Sequence, residues 1–324
     1  MKVFFRKILL FLIPLFFSAI LFDVFISLNL KKSKSFAHGE YTVWNDILES
    51  KVNSDIIING SSRAYVQINP SIIADSLQTT CYNFGLNGHN FWLENFRFNT
   101  FIDKNKKPKI VIQSLDVFTL SKTPDLFNSQ QFLPYMLFNH KIYMATRSYN
   151  GFKVWDFILP AYRYIGLKKI YETAFNMFLN RPNKTKRIKG YEGQNKKWNN
   201  DFDKAKKTMP FVDMPFDDET ISLFDQYLYK CKTNNIKLIF VYSPEYIEGQ
   251  KFAKNRPQIF DLYNSFSKKY NILFYDYSND SISYQKKYFY NTLHLNKEGA
   301  TLFTKKLILD LKKDKTFNNC FKIK

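Results

Sequence analysis

Five short runs of apolar residues, each ended by a turn signal and most separated by enough chain for a helix, constrain this chain most. Residues 55–59 read D-I-I-I-N and stop at Gly60; residues 81–84 stop at Gly85. Residues 110–114 follow Pro108, residues 236–242 stop at Ser243-Pro244, and residues 272–275 form the fifth run. Short runs that are mostly apolar, rather than alternating, suit strands covered on both faces. Between them, Asn69-Pro70 predicts the cap and first turn of a helix ending at Leu77. Residues 90–103 place Phe91, Leu93, Phe96 and Phe98 at helical spacing, and residues 220–232, 256–269 and 297–312 read as helices after the third, fourth and fifth strands. Strands alternating with helices predict an α/β fold: a three-layer α/β/α sandwich around a five-stranded parallel sheet.

Ahead of this pattern lies a different kind of segment. Residues 8–30 carry one charge, Asp23. At 1.5 Å per residue the run spans about 34 Å, enough for a hydrocarbon core of about 30 Å. Pro14 is tolerable in a membrane helix. Lys2, Arg6 and Lys7 precede the run, and Lys31, Lys32 and Lys34 follow it. The short basic N-terminus predicts a single-pass anchor in the cytoplasmic membrane, with the large domain outside the cytoplasm. Ser35-Phe36-Ala37 offers the alternative of a cleaved signal, although it lies behind three lysines. Asp23, near the outer end, is expected to reach the interface. The division expected is an anchor at 1–34 and a domain at 35–324. Residues 117–218 would be an aromatic-rich and then Lys/Asn-rich insertion, acting as extra packing or as a cap over the site.

The net charge of +20 invites a nucleic-acid reading, but 40 of the 48 basic residues are lysine. Arginine is the preferred residue for bidentate phosphate and guanine contacts. No nucleic-acid motif accompanies the charge, so no nucleic-acid partner is expected. Cys81, Cys231 and Cys320 lie far apart with no C-x-x-C spacing, which excludes a zinc ribbon and a disulfide-stapled miniprotein.

Two motifs carry chemistry. Asn59-Gly60-Ser61-Ser62-Arg63 directly follows the first strand, at the carboxyl edge where open α/β sheets bind ligands. Asn291-Thr292-Leu293-His294-Leu295-Asn296 precedes the last helix, with Asn296 as its cap and Asn291 placed to fold back on the imidazole of His294. His38, His89 and His140 lack comparable context.

Together the motifs resemble the SGNH/GDSL hydrolase superfamily, whose sheet is flavodoxin-like, over residues 55–311. Gly60-Ser61-Ser62 matches the nucleophile block, with Ser62 at the nucleophile position, and His294 matches the base. The resemblance implies an oxyanion donor at Gly85, in Asn83-Phe84-Gly85-Leu86-Asn87-Gly88. It looks closest to membrane-anchored proteins of bacterial envelope pathways, including D-alanine transfer proteins of teichoic acid synthesis. There are two departures. Asn291 stands where the family has aspartate, and Gln113-Ser114-Leu115-Asp116 lacks the family's oxyanion asparagine, leaving Asp116 or Asn87 as candidates. The expected function is a membrane-anchored serine esterase or O-acyltransferase, needing no metal or organic cofactor. Its substrates would be acyl esters of envelope polysaccharide, and its partners glycan and the polysaccharide machinery. The alternative is a non-catalytic SGNH-like protein that binds glycan or an assembly partner.

Overall fold

The structure is a computed structural model. It describes the chain except residues 89–90, 182–183, 185–186, 200, 209–210, 315–316 and 318–324, and except the side chains of residues 2, 5 and 9. His89, Asn90 and Cys320 therefore lie outside the described residues. In chain order the helices are α1 (Lys2–Lys31), α2 (Glu40–Leu48), α3 (Ser62–Gln67), α4 (Pro70–Leu77), α5 (Phe91–Lys104), α6 (His140–Thr146), α7 (Trp155–Ile158), α8 (Lys168–Phe178), α9 (Asp201–Thr208), α10 (Asp218–Thr233), α11 (Arg256–Tyr270) and α12 (Lys297–Lys313). The strands are β1 (Ile56–Asn59), β2 (Cys81–Asn83), β3 (Ile110–Leu115), β4 (Lys237–Tyr242) and β5 (Leu273–Asp276). The chain divides into two compact units: residues 1–45 with 124–186, and residues 46–123 with 187–324. The stretch expected to be one insertion is thus shared between them.

The second unit holds the sheet. All strands are parallel in the order β2-β1-β3-β4-β5, as the alternating pattern predicts. Its two faces are filled differently. Ile56, Ile58, Ile110, Ile112, Ile239 and Val241 pack against α3, α4 and α12 through Ala64, Ile73, Phe303 and Leu307. On the opposite face Phe240 meets Phe224 of α10 at 5.8 Å, and Phe224 meets Phe91 of α5 at 4.8 Å and Phe266 of α11 at 5.3 Å. The two Phe224 contacts to Phe91 and Phe266 are edge-to-face, and such contacts add about 0.5–1.5 kcal/mol each beyond burial. The caps read from sequence are present: Asn69 Oδ1 accepts the N–H of Ser71, and Asn296 Oδ1 accepts that of Gly299.

Strand order places the functional edge. The chain runs from β1 to β2 on one side, then returns across β1 to β3 on the other. The carboxyl ends of β1 and β3 therefore border the switch point, where α/β sheets leave an open crevice.

The first unit contains α1, whose segment Arg6–Lys31 is long and apolar enough to cross a membrane, at mean hydropathy 2.6. Asp23 is enclosed by protein groups, at 1% exposed. Arg163 grips it with two parallel bonds of 2.6 and 2.8 Å, and Ala161 N–H adds a third of 2.6 Å. Ser27 Oγ also donates to Asp23 at 3.1 Å. A bidentate guanidinium with every carboxylate oxygen satisfied is the arrangement a buried charge needs. The last turns of α1 belong to this unit's core: Ile26 and Leu30 are buried, as are Tyr164, Ile170 and Ala174, and Ser27 Oγ lies 2.8 Å from the Tyr164 hydroxyl.

Candidate active site

The site is assembled from the two sequence motifs within the second unit. Gly60 turns the chain out of β1 at φ +146°, and a Cβ there would stand 2.8 Å from the Ser114 Cβ. Only glycine fits on both counts. Ser61 then caps α3, accepting the N–H of Arg63 at 3.3 Å. Ser62 is the first residue of α3, so its own N–H has no intrahelical acceptor. Its half-buried hydroxyl lies 2.8 Å from His294 Nε2.

On the far side of the imidazole, Nδ1 is 2.9 Å from Asn291 Oδ1. The same oxygen accepts the backbone N–H of His294 at 2.9 Å and of Leu293 at 3.1 Å. Those two donors fix the amide. Were it flipped, an NH2 would face two N–H groups, so the atom facing His294 is the carbonyl oxygen. Nδ1 therefore carries the proton, and Nε2 is left bare toward Ser62. The asparagine imposes the same tautomer that an aspartate would, without its charge.

The pKa of His294 is pushed down to about 3, first by burial and then by the positive charges of Arg63 and Lys196. The imidazole is a neutral acceptor at all ordinary pH values. Tyr290 lies flat on it, with ring centroids 5.4 Å apart and planes 7° apart.

The remaining sequence-nominated residues fall differently. The Gly85 N–H donates to Asn83 Oδ1 at 2.7 Å, so this donor is already engaged within its own turn. Gly85 is required for close packing: a Cβ there would lie 2.2 Å from Tyr65 N on α3. Asp116 is no oxyanion donor either. Its carboxylate accepts from Ser61 Oγ and from the N–H of Phe118 at 2.7 Å, so it is an acceptor serving the neighbouring serine. Asn87 is half-buried in the turn after β2.

Several contributors were given no role from the sequence, or only a general one. Gln67, at the end of α3, donates to Leu293 O at 2.7 Å and accepts from Ser243 Oγ, tying the histidine loop to the serine helix. Arg63 donates to Ser243 O, reaches Glu245 at 3.4 Å and stacks on Tyr242 at 4.3 Å. Residues 187–196, in the latter part of the expected insertion, lie along α3. Glu192 N–H donates to Tyr65 O at 3.3 Å, and the Arg187 guanidinium sits 4.1 Å over the Tyr65 ring. That segment brings the Lys196 charge to His294.

No protein-family model and no curated protein matches the chain. Among solved structures it is similar to a protein of the G-D-S-L family from Desulfitobacterium hafniense, provisionally assigned as lipolytic, at 13% identity, with 79% of this chain and 99% of that one covered and a TM-score of 0.38. An acylhydrolase by provisional assignment from Bacteroides fragilis matches at 15% identity, over 86% and 98% of the two chains, with a TM-score of 0.39. A GDSL-like lipase from Bacteroides thetaiotaomicron matches at 14% identity, over 85% and 99%, with a TM-score of 0.38.

Proposed function

We propose that this chain is a serine ester hydrolase or acyltransferase of SGNH type, held to the membrane by α1. The observation that carries the proposal is the continuous relay from Ser62 Oγ through His294 to Asn291 Oδ1, at 2.8 and 2.9 Å. A hydroxyl beside an imidazole of fixed tautomer is an activated nucleophile. Ser62 Oγ attacks the ester carbonyl while its proton passes to His294 Nε2. The C–O bond to the alcohol then breaks, and the proton from Nε2 goes to the leaving oxygen. The acyl group, now an ester of Ser62, passes to water or to a sugar hydroxyl by the same steps in reverse. The Ser62 N–H, at the positive end of α3, faces the developing oxyanion. The apolar anchor supports acyl esters of cell-envelope polysaccharide as the substrate class.

The asparagine sets the speed. An uncharged acceptor leaves the transient imidazolium without a counter-charge, beside the positive charges that already depress His294. The wild type is therefore a slow esterase. Turnover of an acetyl ester by wild type and His294→Ala, at equal folded concentration, tests the reading. Loss of activity in the variant is expected. Equal inertness of both proteins toward acetyl esters and toward a fluorophosphonate would favour a non-catalytic glycan-binding role.

A further inference from the structure

The first unit exposes more apolar side chain than a water-facing body needs. Among the described residues, eleven large apolar side chains of residues 124–186 stand exposed, against nine in the much longer second unit. They are grouped. Trp155, Ile158, Leu159 and Ile165 are 49%, 42%, 39% and 70% exposed, and they bracket Ala161 and Arg163, the two residues that hold Asp23. Phe175 and Phe178 of α8 are also exposed, and Phe178 meets Phe25 of α1 at 5.2 Å. Tyr171 of the same helix meets Phe22 at 6.1 Å.

These contacts fix the group's height along α1. From residue 8 to residue 22 a helix rises about 21 Å, short of the roughly 30 Å hydrocarbon thickness. A bilayer that takes α1 from residue 8 therefore reaches beyond residues 22–25. The side chains packed at that level meet lipid. The Asp23–Arg163 pair fits this depth, because protein groups rather than lipid satisfy the charge. Apart from the buried Arg163, residues 124–186 carry eight Lys and Arg against three Asp and Glu, which suits anionic headgroups. Trp155 suits the boundary itself, where amphipathic rings settle.

We propose that α7, the turn after it and α8 form an apolar collar around α1 that seats in an anionic bilayer surface and fixes the first unit there. The proposal rests on α1 crossing the membrane, and the test separates the two ideas. The full chain is reconstituted in phosphatidylcholine/phosphatidylglycerol vesicles whose acyl chains are brominated near the headgroup. Tryptophan quenching is compared between wild type and Trp155→Phe, with carbonate-resistant flotation measured on the same samples. Of the four tryptophans Trp155 is exposed and Trp44 buried, while Trp92 and Trp198 are half-buried and belong to the second unit, so the quenched fraction should fall by at least half in the variant while flotation persists. Persistent flotation with unchanged quenching would overturn the collar and leave the anchor standing. Failure of both proteins to float would overturn the anchor and the collar with it.

Discussion

Ser61 and Ser62 are adjacent at the start of one short helix, and their surroundings are opposite. Ser61 donates its hydroxyl hydrogen bond to a buried carboxylate, Asp116, and turns a lone pair to the Arg63 N–H. Ser62 faces a neutral imidazole and leaves its hydroxyl half-buried. A carboxylate is therefore present beside the reactive serine, but it serves the wrong hydroxyl. One serine is held still by charge at the end of β3. The other faces a relay from which charge has been removed at Asn291. Proximity to an acid does not make a serine a nucleophile; access to a bare imidazole nitrogen does.

The comparison breaks most sharply at Ser62. Ser62→Ala should lower ester turnover by about 10²- to 10⁵-fold, less than the roughly 10⁶-fold lost with the nucleophile of a full triad, because the relay here already lacks its charge. A variant that kept its turnover would move the chemistry elsewhere. Next in size is Asn291→Asp, which restores charge to the relay. The opposite change costs about 10⁴-fold in a trypsin-like triad through the wrong tautomer. Here the tautomer is already right, so the gain should lie between about 10-fold and that limit. The acid limb of kcat/KM should move up from near pH 3 toward the ordinary histidine range in the same variant. The stability profile carries the matching sign. The unfolded chain takes up a proton on His294 near pH 6.5, whereas the folded chain does so only near 3. This contribution to stability is full above about 6.5 and is lost as pH falls toward 3. Thermal melts across that range, with His294→Gln as the reference, would show it.

Two smaller effects separate structure from chemistry. Gly85→Ala should destabilise the fold by about 1–3 kcal/mol in urea titrations, because its Cβ would meet the backbone of α3. Rate per folded molecule should fall less than stability does. Ser61→Ala removes one cap, and about 1 kcal/mol is the expected loss. Its turnover should stay within severalfold of wild type.

What was legible in the sequence was local or periodic. The strands emerged within a residue or two because apolar runs and glycine stops act over neighbours. Asn69 and Asn296 were legible because a cap bonds two or three residues ahead. The match of Ser62 to His294 came from the pairing of two short motifs. The rest depends on residues brought together from afar. Asp116 meets Ser61 across 55 positions, Gln67 meets the His294 loop across 226, and Arg163 meets Asp23 across 140. The resemblance implies an oxyanion role for Gly85 and is silent on its packing. The glycine is required by the approach of a helix backbone, which no spacing rule encodes.

The most direct measurement is the site of fluorophosphonate attachment, read by peptide mass spectrometry on wild type, Ser61→Ala and His294→Ala. The account predicts one adduct, on Ser62, retained in Ser61→Ala and lost in His294→Ala. An adduct on Ser61, or labelling of Ser62 undiminished without His294, would contradict it.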